Sequence, residues 1–406
     1  MIRLSDIEAA QRILAGQVVR TPMLPAPRLS ALTGAQVFIK YENLQVTNSF
    51  KDRGAFVKLT SLTEAERANG VVAMSAGNHA QAVAYHAGRL GIAATIVMPV
   101  TTPFVKVDAT RAFGAKVVLD GETVAEAQAR AEIEADKRRL TFVHPYDDEK
   151  IIAGQGTIAL EMLADVPDLD VIVVPVGGGG LIAGSAIAAK ALRPQIEVVG
   201  AEAALYPSMH NALHNETLQI GGPTLAEGIA VKNVGKLTLP IVRELVSDVV
   251  LVSEAHLERA VNAYLTLQKT MAEGAGAAGL AALFAQPEHF EGRRVGLLLS
   301  GGNIDPRIIA SVMMRELQRD NRILSFRLTI PDRPGVLGQI STLLGKLDAN
   351  ILEIDHRRSF LDVPAKGARL DVTIETRDRL HADEIAAALA AAGYEPMRIE
   401  TNSTSE

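Results

Sequence analysis

The chain has 406 residues, enough for two or three domains, with 48% apolar and 22% charged, the mix of an ordinary globular protein. A net charge of −6 offers no electrostatic footprint for nucleic acid or a membrane surface as partner. Cysteine is absent, which excludes disulfides, thiolate metal sites and cysteine nucleophiles and fits a cytoplasmic protein. In chain order, residues 3–16 carry Leu4, Ile7, Ile13 and Leu14 at helical spacing, with Ser5 as the expected N-cap. Met1 to Asp6 hold no apolar signal core, and no run approaches the ~20 residues of a membrane span. Thr21-Pro22-Met23-Leu24-Pro25 reads as an extended connector. From residue 37 onward, apolar strand-like runs alternate with helical ones. Strands are expected at 37–41, 71–74, 94–98, 116–119, 171–174, 197–201 and 294–299, and helices at 78–90, 123–138, 155–164, 181–192 and 254–268. Continuously apolar strands separated by helices imply α/β architecture with parallel sheets covered on both faces. Ligands then bind beyond the carboxyl ends of the strands.

Past residue 321 the pattern changes. Strand 325–330 alternates cleanly, the turn Asp332-Arg333-Pro334-Gly335 follows, and helix 336–347, strands 350–357 and 369–376, helix 381–392 and strand 394–400 complete a βαββαβ, ferredoxin-like unit. Residues 401–406 are polar and expected to fray.

Four stretches carry chemistry. In Gln45-Val46-Thr47-Asn48-Ser49-Phe50-Lys51-Asp52-Arg53-Gly54-Ala55, Lys51 falls near a helix start, where the dipole favours a neutral amine able to attack a carbonyl. Alone, Lys51 also reads as a solvated surface lysine. Ser75-Ala76-Gly77-Asn78-His79-Ala80-Gln81 opens a helix after a strand, and its free N–H groups suit a carboxylate as well as they suit a plain helix cap. Gly177-Gly178-Gly179-Gly180-Leu181 follows a buried strand. Four glycines admit a phosphate closely, yet neither a P-loop lysine nor the dinucleotide pattern is present, so a monophosphate group fits. Ser300-Gly301-Gly302-Asn303 places a hydroxyl at a strand end. A carbonyl-capturing lysine, a phosphate cup and a strand-end hydroxyl together suggest pyridoxal 5'-phosphate.

On these motifs the chain resembles the fold-type II pyridoxal-phosphate enzymes, nearest to the threonine dehydratases (threonine ammonia-lyases). Asp332-Arg333-Pro334-Gly335-Val336-Leu337 with Asn350-Ile351 resembles an ACT domain, a module that commonly binds amino acids. The resemblance implies a two-lobed catalytic domain over residues 1–320, with a smaller lobe at roughly 48–148, and an ACT-like domain over 325–400. It implies that Lys51 anchors the cofactor and is the catalytic base. Phe50 and Gly228 would flank the ring, Asn78 would bond its hydroxyl, Gly177, Gly178, Gly179, Gly180 and Leu181 its phosphate, and Ser300 its nitrogen. Ser75, Ala76, Gly77, Asn78 and His79, with Gln155, would hold the substrate carboxylate. Asp332, Pro334, Gly335, Val336, Leu337, Asn350 and Ile351 would meet an amino-acid effector, in a homo-oligomer (dimer or tetramer).

Three departures bear on that resemblance. Serine racemases of the fold carry a serine where this chain has Ala76, which favours one-faced elimination over racemisation. Glu202 lacks the second carboxylate of a racemase-like metal site, Ser208 standing in its place, so a divalent metal is not expected. Asn48 replaces a usual glycine. The expected reaction is conversion of threonine to 2-oxobutanoate, or serine to pyruvate, with release of ammonia. Serine or 3-hydroxyaspartate dehydratases are the alternatives among enzymes; threonine synthase fits less well, lacking a second anion site. A catalytically silent amino-acid sensor is the alternative of another class.

Overall fold

The computed structural model describes residues 2–358 and 366–399; the tail expected at 401–406 lies outside them. Two compact units divide the chain, Met1–Asp305 and Pro306–Glu406.

The first unit holds two sheets. Strands β1 (Met23–Pro25), β2 (Gln36–Tyr41), β3 (Val71–Met74), β4 (Ala94–Met98), β5 (Lys116–Leu119), β6 (Thr141–Phe142), β7 (Val171–Pro175), β8 (Glu197–Ala203), β9 (Asp248–Val252) and β10 (Arg294–Leu299) follow one another in chain order. The larger sheet runs β1-β2-β10-β7-β8-β9, parallel except for β1 against β2. The smaller runs β5-β4-β3-β6, all parallel. Every residue of β4 and β7 is buried, as expected of strands covered on both faces. A core around Ile152, Ile172, Val174, Ile182 and Val198 serves the large sheet, and one around Leu59, Val71, Val83 and Ile96 the small one.

β1, β6 and β9 escape the sequence reading. The first two are three and two residues long, too short to show a period. The first helix, Leu4–Leu14, starts before Ser5, so Ser5 is not its cap; the Asp6 carboxylate accepts the Arg3 N–H instead, at 2.8 Å.

The second unit holds β11 (Ile323–Pro331), β12 (Asn350–Arg357), β13 (Gly367–Glu375) and β14 (Met397–Arg398) in the antiparallel order β12-β13-β11-β14, with helices Val336–Lys346 and Arg379–Ala391. That is the ferredoxin-like arrangement. The helix Pro306–Arg319, which the sequence assigns to the first domain, groups with this unit.

Candidate active site

β2, β10 and β7 are neighbours in the large sheet, and their carboxyl ends deliver the lysine loop, Ser300 and the glycine loop in that order. The Ser75–Gln81 stretch arrives from β3 of the small sheet. Three of the four stretches therefore share one sheet end, as strand-end chemistry requires.

Lys51 is the first residue of the helix Lys51–Thr60. The loop before it is stitched to the Ser300 loop: Phe50 N–H donates to Ser300 O at 3.0 Å, Gly302 N–H to Asn48 O at 3.0 Å, and Ser49 bridges Gly301. Asp52 closes the loop from the other side, accepting from Thr47 N–H and Thr47 Oγ1 at 3.1 and 2.6 Å. The Lys51 amine donates to Pro145 O at 2.8 Å and lies 5.0 Å from the centre of the Phe50 ring. Dehydration lowers its pKa to about 8, against an upward pull from Glu273. The helix start alone is thus not what makes the amine available; removal from water is.

Behind Lys51, Arg53 is fully buried between two carboxylates. Its guanidinium reaches Glu42 and Glu161 at 2.7 Å each, and Lys40 reaches Glu161 at 2.5 Å. Two cations and two carboxylates balance, so the helix is tied to the end of β2 and to the helix Glu149–Asp165 without a net buried charge.

The glycine loop opens the helix Gly180–Leu192, and Gly179 takes φ +94 at its cap. The first N–H groups of that helix have no partner within it. A Cβ on Gly178 would fall 2.3 Å from the Tyr146 ring, and one on Gly180 would meet Tyr146 O at 2.6 Å. Gly178 O in turn accepts from Thr238 Oγ1 at 2.7 Å and Gly235 N–H at 3.1 Å. The loop is therefore a side-chain-free cradle held open from beneath, the shape that suits a phosphate on a helix start. Leu181 is buried in the large-sheet core, so only its backbone faces the loop's task.

Asn78 begins the helix Asn78–Arg89. Its Nδ2 donates to Glu273 Oε1 at 2.6 Å, and its Oδ1 accepts from Asn303 Nδ2 at 2.8 Å. Gly228, in the turn Glu227–Ile229, lies beside Glu273: a Cβ there would sit 3.6 Å from Oε1. One on Gly301 would sit 2.3 Å from Oε1 and 3.1 Å from Asn78 Nδ2. Lysine loop, Ser300 loop, Asn78 and Gly228 thus converge on Glu273. Dehydration raises the Glu273 carboxyl to about 7, opposed by its bond to Asn78.

Around the expected carboxylate pocket, Ser75 Oγ accepts the Gly77 N–H at 3.1 Å. His79 is buried with Nε2 against Val143 O at 2.9 Å, and dehydration drops its pKa to about 3, so its neutral ring is structural and only its backbone remains for a ligand. Gln155 is 1% exposed, and neither amide atom has a protein partner. It packs against Gly54, one turn along from Lys51, where a Cβ would come within 2.5 Å of its Nε2. Glu202 is taken up as a helix cap: its carboxylate accepts from Met209 and His210 N–H at 2.8 and 2.9 Å. Among the described residues no group of three or more His, Asp or Glu is placed to hold a metal ion.

In the second unit, Asp332, Pro334, Gly335, Val336 and Leu337 line a cavity of about 280 Å³ together with His356 and Arg358. Arg358 Nε donates to Asp332 at 3.0 Å. Asn350 and Ile351 are not among the lining residues. They begin β12 opposite Glu375 and Ile374, whereas Pro331, next to Asp332, pairs with Gly367 at the other end of β13. Eight residues of strand separate the two groups, roughly 25 Å. Within one chain, Asn350 and Ile351 therefore do not share the cavity that the Asp332–Leu337 loop forms with His356 and Arg358.

A family model for pyridoxal-phosphate dependent enzymes matches residues 14–301. The chain belongs to the pyridoxal-phosphate dependent enzyme family. An ACT-domain model matches residues 325–393. The L-threonine ammonia-lyase of Thermotoga maritima is 44% identical across 97% of this chain and 99% of its own length. The catabolic L-threonine dehydratase TdcB of Escherichia coli K12 is 43% identical across 75% of this chain and 94% of its own. The solved threonine deaminase isoform 2 of Solanum lycopersicum superposes with a TM-score of 0.72 at 36% identity, over 77% of this chain and 86% of that one.

As a member of this family the chain uses pyridoxal phosphate, and the cradle fits it on two observations: the side-chain-free glycine loop and the dehydrated Lys51 amine, whose loop is bonded to that of Ser300. The sequence reading missed Glu273, Tyr146, Thr238 and Asn303's role. Glu273 carries one local signal, a lone acid immediately before the Gly/Ala-rich helix Gly274–Ala285. No helix among the described residues is long and apolar enough to cross a membrane.

Proposed function

We propose that the protein is a threonine ammonia-lyase, converting L-threonine to 2-oxobutanoate and ammonia and L-serine to pyruvate and ammonia. The observation that carries this is a Lys51 amine brought to a pKa of about 8 at a sheet end shared with Ser300 and the glycine cradle. Pyridoxal phosphate, when bound, supplies an aldehyde for that amine and an electron-accepting ring. Lys51 would anchor it, Gly177 to Leu181 would take its phosphate on backbone N–H groups, Phe50 and Gly228 would flank its ring, Asn78 would meet its hydroxyl and Ser300 its nitrogen. The N–H groups at Ser75 to His79 and the unpartnered Gln155 amide receive the substrate carboxylate. The Lys51 amine would take the proton from the substrate α-carbon, the β-hydroxyl would leave with a proton as water, and the resulting enamine would take up water to give the 2-oxo acid and ammonia. Ser300 is a hydroxyl, without the charge that would hold a proton on the ring nitrogen. Ala76 moves no proton on the opposite face, which supports elimination over racemisation.

The second unit supports an allosteric reading: an amino-acid effector, with isoleucine the first to test, at the loop Asp332–Leu337. Isoleucine biosynthesis is the metabolic setting this implies. A cytoplasmic homo-oligomer is supported by the cysteine-free chain and by edge strand β12, which exposes Leu352 and Ile354. The test is 2-oxo acid release from threonine, serine and 3-hydroxyaspartate, with and without isoleucine. Threonine turning over fastest supports the assignment. Turnover of 3-hydroxyaspartate alone contradicts it, and a colourless protein with no turnover points to a silent sensor.

A further inference from the structure

Four side-chain amides and acids form a chain across the site: Asn48, Asn303, Asn78 and Glu273. Its direction can be read from one atom that has no choice. Thr47 O only accepts, so the Asn303 atom facing it at 2.8 Å is Nδ2. That same Nδ2 faces Asn78 at 2.8 Å, so the Asn78 atom there is the acceptor Oδ1. Asn303 Oδ1 is then left for Asn48 Nδ2, at 3.3 Å. Asn78 Nδ2 consequently points to Glu273 Oε1, at 2.6 Å. An amide nitrogen has no lone pair to give, so Glu273 accepts in either charge state. One hydrogen of Nδ2 goes to Glu273, and the second is left as a donor.

We propose that Glu273 is a positioning residue that locks the Asn78 side-chain amide with its N–H, not its carbonyl, available to the cofactor's ring oxygen. This rests on the reading of Asn78 as the partner of that oxygen. Without Glu273 the amide is held at its carbonyl alone, by Asn303 Nδ2, and its N–H end is free to turn away from the ring oxygen. Glu273 is well placed to hold this lock. Its own N–H donates to Gly301 O at 3.1 Å, tying it to the Ser300 loop, and Gly301 leaves room where a Cβ would come within 2.3 Å of its carboxylate. The charged groups around it are Lys51 and Lys106, which favour its carboxylate, and Glu227, which disfavours it.

The test titrates the cofactor-free protein with pyridoxal phosphate and records the visible band and the dissociation constant. Glu273→Ala is expected to shift the band and weaken binding about tenfold, the size of one lost hydrogen bond to a charged group. In an Asn78→Ala background the same substitution is expected to add less than about twofold. Glu273→Gln keeps an acceptor and is expected to restore the wild-type band. Should Glu273→Ala fail to fold, Asn303→Ala releases the lock from its other side and is expected to shift the band in the same direction. An unchanged band in a folded Glu273→Ala or Asn303→Ala protein overturns the inference, as does a full additive effect in the Asn78→Ala background or a failure of Glu273→Gln to restore the band. Wild-type protein that shows no band at all overturns the cofactor reading, and the inference with it.

Discussion

Asn48 sits at φ 57, in the left-handed region where a Cβ is strained and glycine is the usual residue. Asparagine tolerates that region best among the rest, and here its Nδ2 also reaches Asn303. An asparagine where the resemblance leads one to expect glycine thus has a physical account: the turn that presents Lys51 keeps its shape and gains a tether. Glu202, which the sequence leaves without a second carboxylate for a metal, is used by the backbone instead. Three backbone N–H groups at Ser208, Met209 and His210 favour its carboxylate, but dehydration outweighs them and raises its pKa to about 7. A raised carboxyl stabilises the fold fully below its unfolded pKa, and that contribution is lost as pH climbs through the folded value. Thermal unfolding should therefore show Glu202→Gln gaining ground on wild type between about pH 5 and about pH 8. A constant difference across that window would contradict the assigned cause. Such shifts were not legible in the sequence, because burial of Glu202 depends on a helix that begins six residues later and on the sheet beneath it.

At the scale of elements, the lysine helix and the glycine loop were legible because each follows an apolar strand and carries its own signature. Four consecutive glycines are costly in a turn that only needs to turn. What kept Glu273 and Tyr146 hidden is distance along the chain. Asn78 and Glu273 are 195 residues apart, and nothing local to either position marks the pairing. The same holds for the buried tetrad of Lys40, Glu42, Arg53 and Glu161, whose Arg53–Glu161 pair spans 108 residues. The cradle makes a sharp prediction. Gly178→Ala would drive a methyl into the Tyr146 ring, 2.3 Å away, so either the loop or the ring must move. Pyridoxal phosphate binding, read by titration of the visible band, should weaken by at least about tenfold, the loss of one good phosphate contact. Wild-type affinity in that variant would mean the phosphate sits elsewhere.

At the scale of the whole molecule, two units of different design share the chain. The first matches proteins such as the Escherichia coli dehydratase, which aligns over 94% of its own length to 75% of this chain. The second adds an antiparallel sheet with a loop cavity of its own. Removing residues 325–406 should leave threonine turnover in place and abolish any change in rate caused by isoleucine or valine. A response that survives the truncation would move the effector site out of the second unit. The ferredoxin-like order of that unit was legible from its alternating strands, whereas the boundary was not, since the helix Pro306–Arg319 has no break in pattern to announce which unit it joins.

The account stands most directly on Lys51. Lys51→Ala protein titrated with pyridoxal phosphate alone should lack the visible band that the lysine gives, and after threonine is added it should release no 2-oxobutanoate. A Lys51→Ala protein that keeps the band and turns over threonine at the wild-type rate would contradict it.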